Sequence, residues 1–328
     1  MKSYFLSSWR WTTLFYAGLT AMIIFSSCAK NRNDIYIDLG DVNNESGKDS
    51  TAGKPNSQIS FSASIESIAQ TKSISPLSSN RYAMIWAYAS NRPMSAGPSS
   101  RLLFKTDKPG TLTPVFNPMY LPNGNYNFYS IATNSSSNQN PNFNSESGVS
   151  SSALLNGVDY LWWGSPNVSI AASSVNIPIV YSHSCTQVVI KLVAGKGIVL
   201  NSQSAATITP ANPSGLTMDL LNGVITPGTT LQPGGVAMGV SNFVSQYTML
   251  PLAISGNITA TFTIMINNEA VSRLYTVGIP VPSGGLKAGK SYLYKAIVNA
   301  NEIIFNSVDV IDWIEVDEQG TPLYPTQV

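Results

Sequence analysis

Residues 58–67 read QISFSASIES, with Ile59, Phe61, Ala63 and Ile65 alternating with serines and Glu66. Successive side chains of an extended chain point to opposite faces, so this period of two predicts a strand with one apolar and one polar face. The signature recurs at 82–89, 102–105, 126–132, 175–181, 187–193, 248–254, 258–266, 272–281, 291–298 and 303–311. Gly, Pro, Asn or Ser clusters bound most of these runs, as Pro282 and Asn299 do. No long stretch carries apolar residues at the i, i+3, i+4, i+7 spacing of an amphipathic helix. Short helical turns are expected only near 152–155 and 242–246. Short strands separated by turn signals predict an all-β protein built of antiparallel β-sandwiches.

Upstream of that strand the sequence changes character twice. Lys2 and Arg10 precede an uncharged run of 14 residues, 12–25 (TTLFYAGLTAMIIF), and Ser26-Ser27-Cys28 follows. This is the layout of a secretory signal, and the apolar run falls short of the ~20 residues a spanning helix needs. A cysteine directly after two small residues at the end of such a run resembles a bacterial lipobox, although Phe25 stands where Leu is usual. Residues 1–27 are therefore expected to be a lipoprotein signal peptide and Cys28 the lipidation site. Residues 28–56, rich in Asn, Asp, Gly and Ser, read as a flexible tether with a random-coil span of roughly 30 Å. The rest has the length of two domains, expected at 57–172 and 173–328, with Ser173-Ser174 and the region 195–197 as candidate joints. Residues 133–152 (TNSSSNQNPNFNSESGVSSS) form a long Ser/Asn-rich loop in the first of these.

Composition removes several functions. Of the 328 residues only 11% are charged, 18 Lys+Arg against 17 Asp+Glu. Loss of Lys2 and Arg10 with the signal would leave 16 basic against 17 acidic residues, a formal charge of −1. A near-neutral chain lacks the basic excess that nucleic acid requires. The one histidine, His183, lies two residues from Cys185, and in a strand these share a face. A zinc site would need at least one further protein ligand, so His183 is expected to be a hydrogen-bonded structural residue. With Cys28 acylated, Cys185 would be left as an unpaired thiol. No Walker loop, Gly-x-Gly-x-x-Gly, His-Glu-x-x-His or Gly-x-Ser-x-Gly occurs, and neither catalysis, cofactor nor metal is expected. In the aromatic cluster 160–164 (YLWWG), alternation sends Trp162 and Trp163 to opposite faces, one to a core and the other toward an interface, the surface or a ligand such as a glycan.

The order of these features resembles the fimbrillin family of the Bacteroidales, the type V pilins and their accessory subunits. A lipobox Cys leads into a polar tether, the strand QISFSASIES, the step Thr71-Lys72 and the aromatic strand YAMIWAYAS. Leu121-Pro122-Asn123-Gly124 then precedes YNFY, and IPIVYSHSCTQVVIKLVAG follows. LKAGKSY (286–292), the strand after it, Ile303-Ile304-Phe305 and Asp312-Trp313 complete the series. The resemblance implies two tandem transthyretin-like sandwich domains on an exported lipoprotein of the outer membrane and cell surface. It further implies that a trypsin-like protease cuts after the first strand, and that a neighbouring subunit fills the opened groove with a strand of its own. Here the displaced face would be Ile59, Phe61, Ala63 and Ile65, and the cut would follow Lys72 or, as second choice, Arg81. The partners would be other pilin subunits, in a homo- or heteropolymer, with adhesion as the outcome. For a donor strand near the C-terminus, Val308, Val310, Ile314 and Val316 alternate, but Asp312 interrupts the face and Pro322 and Pro325 lack ladder N–H groups. That leaves open a tip or anchor subunit that binds a host protein or glycan without polymerising.

Overall fold

The computed structural model describes residues 56–67, 73–143 and 149–313. Cys28, the tether up to residue 55, Lys72 and the tail from Ile314 onward, Val316 included, lie outside these residues. The described residues belong to one compact unit, and their regular structure is almost entirely strand, as the period of two predicts.

Nine strands build the N-terminal part: β1 (Asn56–Ser67), β2 (Ser73–Pro76), β3 (Tyr82–Ala89), β4 (Ser100–Lys108), β5 (Thr111–Pro114), β6 (Met119–Pro122), β7 (Gly124–Thr133), β8 (Tyr160–Ile170) and β9 (Ser174–His183). They hydrogen-bond in the order β2-β1-β5-β4-β3-β7-β8-β9, with β6 also on β1, and a β1–β9 pairing returns the ladder to its start. That pairing is parallel, whereas the others in this part are antiparallel. The enclosed core takes Ile59, Phe61, Ala63 and Ile65 from β1, Ile85 from β3, Phe104 from β4, Phe128 from β7 and Ile177, Ile179 and Tyr181 from β9. Strand β3 is buried on both faces from Ala83 to Tyr88. Its outer face is covered in part from the Ser/Asn-rich loop, where Phe143 meets the Trp86 ring edge-on at 5.2 Å.

Nine further strands follow: β10 (Thr186–Ala194), β11 (Leu200–Ile208), β12 (Val236–Ala237), β13 (Gly239–Ser241), β14 (Val244–Met249), β15 (Asn257–Ile266), β16 (Arg273–Pro280), β17 (Lys290–Val298) and β18 (Ile303–Asp312). They form two sheets, β13-β14-β10-β17-β18 and β12-β11-β15-β16. Val188, Ile190, Tyr292 and Tyr294 of the first and Ile208, Ala260, Phe262 and Ile264 of the second are sealed from water. Bonds from Tyr294 Oη to the Pro280 carbonyl (2.9 Å) and from Gln203 Nε2 to Ser245 Oγ (2.6 Å) tie the two sheets together.

Sheet membership changes after His183, between the two candidate joints: the stretch 174–183 is β9, which contributes Ile177, Ile179 and Tyr181 to the N-terminal core. Two expectations need correction. Residues 160–170 form a full strand that simple alternation does not reveal, because Pro166 and Asn167 (φ 56°) interrupt its register against β7; a bulge is where a sheet tolerates proline. The helical turns do not form. Asn242 and Phe243, at φ 45° and 63°, make the tight turn between β13 and β14, a geometry whose twist matches a hairpin. Residues 152–154 are drawn out by backbone bonds to Asn142 and Leu216.

Candidate functional site at the first strand

Strand β1 lies inside its sheet. One edge is bonded to β9 in unbroken register from Gln58↔Ser174 to Ile65↔Tyr181. The other edge is shared by β6 at 56–59, β5 at 61–62 and β2 at 64–67. Where those partners change over, the Ala63 N–H donates to the Gly110 carbonyl (2.8 Å) and the Ala63 carbonyl accepts from Leu77 N–H (3.0 Å). A Cβ on Gly110, at φ +76°, would approach the Ala63 carbonyl to 3.3 Å, so the close pass depends on glycine.

The inward side chains fill separate holes. Ile59, Phe61, Ala63 and Ile65 are each no more than 4% exposed. Phe61 meets Phe104 and Phe128 edge-on, with ring centroids 5.1 and 6.0 Å apart, the geometry the ring quadrupoles favour. Burial of Ile59, Phe61 and Ile65 contributes about 1.5–3 kcal/mol each. Below them Ser57, fully buried, donates to Asn123 Oδ1 at 3.1 Å. Ser60 and Ser64 on the outer face reach across to carbonyls of β9, Val175 at 3.4 Å and Ile179 at 3.1 Å.

The two processing positions differ. Lys72 falls in the undescribed segment 68–72, between the end of β1 and β2. Arg81 is held on four sides. Its N–H donates to Thr106 Oγ1 (2.8 Å), its carbonyl accepts from Thr106 N–H (2.9 Å), Nε donates to Asn134 Oδ1 (3.0 Å) and Nη1 to the Ser79 carbonyl (3.3 Å).

At the C-terminal side, β18 is zipped to β17 from Val298↔Ile303 to Lys290↔Asp312. Val308 and Val310, expected in a donor strand, are thus paired within their own sheet, opposite Tyr294 and Tyr292. Lys290 forms an ion pair with Asp312, and the next residue, Trp313, stacks on His183 with centroids 4.2 Å apart and planes at 12°. His183 Nδ1 lies 3.0 Å from Asp159 Oδ1, and its buried Nε2 has no hydrogen-bond partner among the described residues. The contact with the Asp159 carboxylate holds the ring as a flat seat for Trp313. The sequence pointed to His183 but not to Asp159 or Trp313 as its neighbours, because 24 and 130 residues separate them along the chain.

The remaining candidates are structural in placement. Cys185 is sealed in the interior with Sγ 3.3 Å from the Val158 carbonyl, and burial pushes its thiol pKa far up. Among the described residues no group of three or more His, Cys, Asp and Glu could hold a metal ion. Trp163 packs against the N-terminal core. Trp162 donates from Nε1 to the Leu220 carbonyl at 2.7 Å, and a Cβ on Gly223 would come within 2.4 Å of its ring. One tryptophan therefore serves a core, and the other the contact between β8 and the 219–223 turn.

Comparison with known proteins follows the same geometry. The family model described as Fimbrillin-like matches residues 71–313. No curated protein matches the chain. Among solved structures, a candidate cell adhesion protein of Bacteroides ovatus superposes with a TM-score of 0.57 at 13% identity, over 80% of this chain and 99% of that one. One of Bacteroides uniformis gives 0.55 at 13% identity, over 79% and 99%. One of Bacteroides fragilis gives 0.52 at 15%, over 80% and 99%. At these identities the likeness establishes the fold alone.

Proposed function

The chain belongs to the fimbrillin-like family, and from that premise we propose that it is a cell-surface fimbrial subunit that joins a neighbour by strand exchange at the seat of β1. It acts by assembly and adhesion, not by catalysis. The observation that carries this is β1 itself, a central strand that packs four inward side chains into the core. Removing it would open two hydrogen-bonding edges and four apolar holes at once. β-augmentation uses the same two elements, main-chain ladders for affinity and alternate side chains for specificity. An open seat of this kind is also an aggregation hazard, which gives a reason to keep β1 in place until the subunit reaches the surface. Acylation of Cys28 would hold the exported precursor at the outer membrane, and a cut after Lys72 would release β1.

The test is treatment of the purified precursor with a trypsin-like protease, followed by N-terminal sequencing and native electrophoresis with its assembly partners. The expected result is one defined cut between residues 67 and 82 and a ladder of oligomers. An uncut chain, or a cut chain that stays monomeric with every partner, sinks strand exchange. A labelled fatty acid should enter the wild type and not Cys28→Ala. The prolines of the tail and the pairing of Val308 and Val310 within β18 favour an accessory position, at the tip or anchor, where a host protein or glycan is the further partner.

A further inference from the structure

We propose that the seat of β1 refuses the C-terminal tail of a second copy of this chain and takes its donor from a different protein, whose strand reads aliphatic-x-aromatic-x-small-x-aliphatic. This rests on strand exchange at β1, as proposed above, and names the partner's chemistry.

The seat sets three conditions. The position of Phe61 is a hole walled by Phe104 and Phe128, both edge-on to the ring it holds, so an aromatic side chain recovers contacts that an aliphatic one loses. The position of Ala63 is 3% exposed, and the backbone there is bonded to Gly110 and Leu77; a close-packed interior resists added methylenes. Both edges of the strand are hydrogen-bonded, so proline would remove a ladder bond, and an inward carboxylate would be buried without a partner.

The tail fails these conditions in every register. Residues 308–328 read VDVIDWIEVDEQGTPLYPTQV. Four inward positions take four residues of one parity. On the even side Asp312, Glu318 and Pro322 interrupt every such set, and on the odd side Asp309, Glu315, Asp317 and Pro325 do. Reversing the direction of the strand leaves the sets unchanged. The nearest fit places Tyr324 in the Phe61 hole with Thr326 and Val328 beyond it, yet it puts Pro322 where Ile59 sits and Pro325 where Ser62 pairs with both β5 and β9. The tail of a second copy is therefore ruled out by its own chemistry as the donor at this seat, and the subunit sits at a junction between unlike proteins.

The experiment uses the full chain with a specific protease site built into residues 68–72, cut after folding so that β1 starts in its seat. Fluorescent peptides are then added in excess and the bound fraction is followed by gel filtration. A copy of residues 56–67 should exchange in. The same peptide with Phe61→Ala should bind about a hundredfold more weakly, and with Ala63→Phe about tenfold more weakly. A peptide of residues 308–328 should not bind. Tail binding comparable to the copy overturns the proposal and leaves strand exchange standing. Equal binding by all the 56–67 peptides overturns the predicted donor pattern. Failure of the unmodified copy to exchange overturns strand exchange itself, and this proposal with it.

Discussion

Single residues in this protein are governed by burial more than by charge. Tyr88 and Tyr160 carry phenols that burial pushes from 10.0 up to about 12, with Arg101 and the Leu155 N–H respectively pulling the other way. The fold thus favours the protonated phenols. Their contribution to stability is whole below pH 10, where the unfolded chain would also be protonated, and is lost as pH rises from 10 through about 12. A residue-resolved alkaline titration of the Tyr88 and Tyr160 rings by NMR should therefore show delayed ionisation followed by loss of the β-sheet circular dichroism signal. Ionisation of these two rings near pH 10 with the fold intact would refute this. Of the residues at the candidate site, Ile59, Phe61, Ala63 and Ile65 were legible from alternation alone. Ser57 and its partner Asn123 were not, since a serine at the start of a serine-rich strand gives no sign of being the buried one.

At the level of elements, the segment joining β1 to β3 decides how the first strand could leave. Exposed loop tips are where proteases cut, whereas Arg81 is bonded through both its N–H and its carbonyl to Thr106 at the entrance to β3. Limited trypsin digestion of the folded chain should therefore leave Ser73 as the new N-terminus and not Tyr82. Recovery of Tyr82 as the main product would mean that the Arg81–Thr106 pairing opens readily. The family resemblance ranks Arg81 second to Lys72 as a cleavage position, and the hydrogen bonds of Arg81 supply a physical reason for that order. The elements themselves were mostly legible, because each strand with one face to the core must alternate. Strand β8 was the exception, its Gly164, Pro166 and Asn167 masking the pattern.

For the whole molecule, the joining feature is the stretch after the Ser/Asn-rich loop. Leu220 N–H donates to the Val149 carbonyl, Ser151 N–H to Met218 and Leu154 N–H to Leu216, so the chain is laced to the 216–220 region. Asn156 completes it, donating from Nδ2 to the Ala211 carbonyl at 2.7 Å and accepting from the Leu250 N–H at 3.0 Å. Asn156→Ala would leave both groups without that partner and should cost about 1–3 kcal/mol, read as a lower denaturation midpoint. An unchanged midpoint would show that the lacing contributes little. What the sequence by itself determined was the all-β class and the strand faces, those of the first strand included, because they follow from a period of two and from where apolar residues fall. Only the tertiary structure decided that β9 closes the N-terminal sheet beside β1, that Trp313 rests on His183 and that the seat holds one aromatic and one small residue. These depend on pairings between residues far apart in the chain, and no local pattern encodes which strand will meet which.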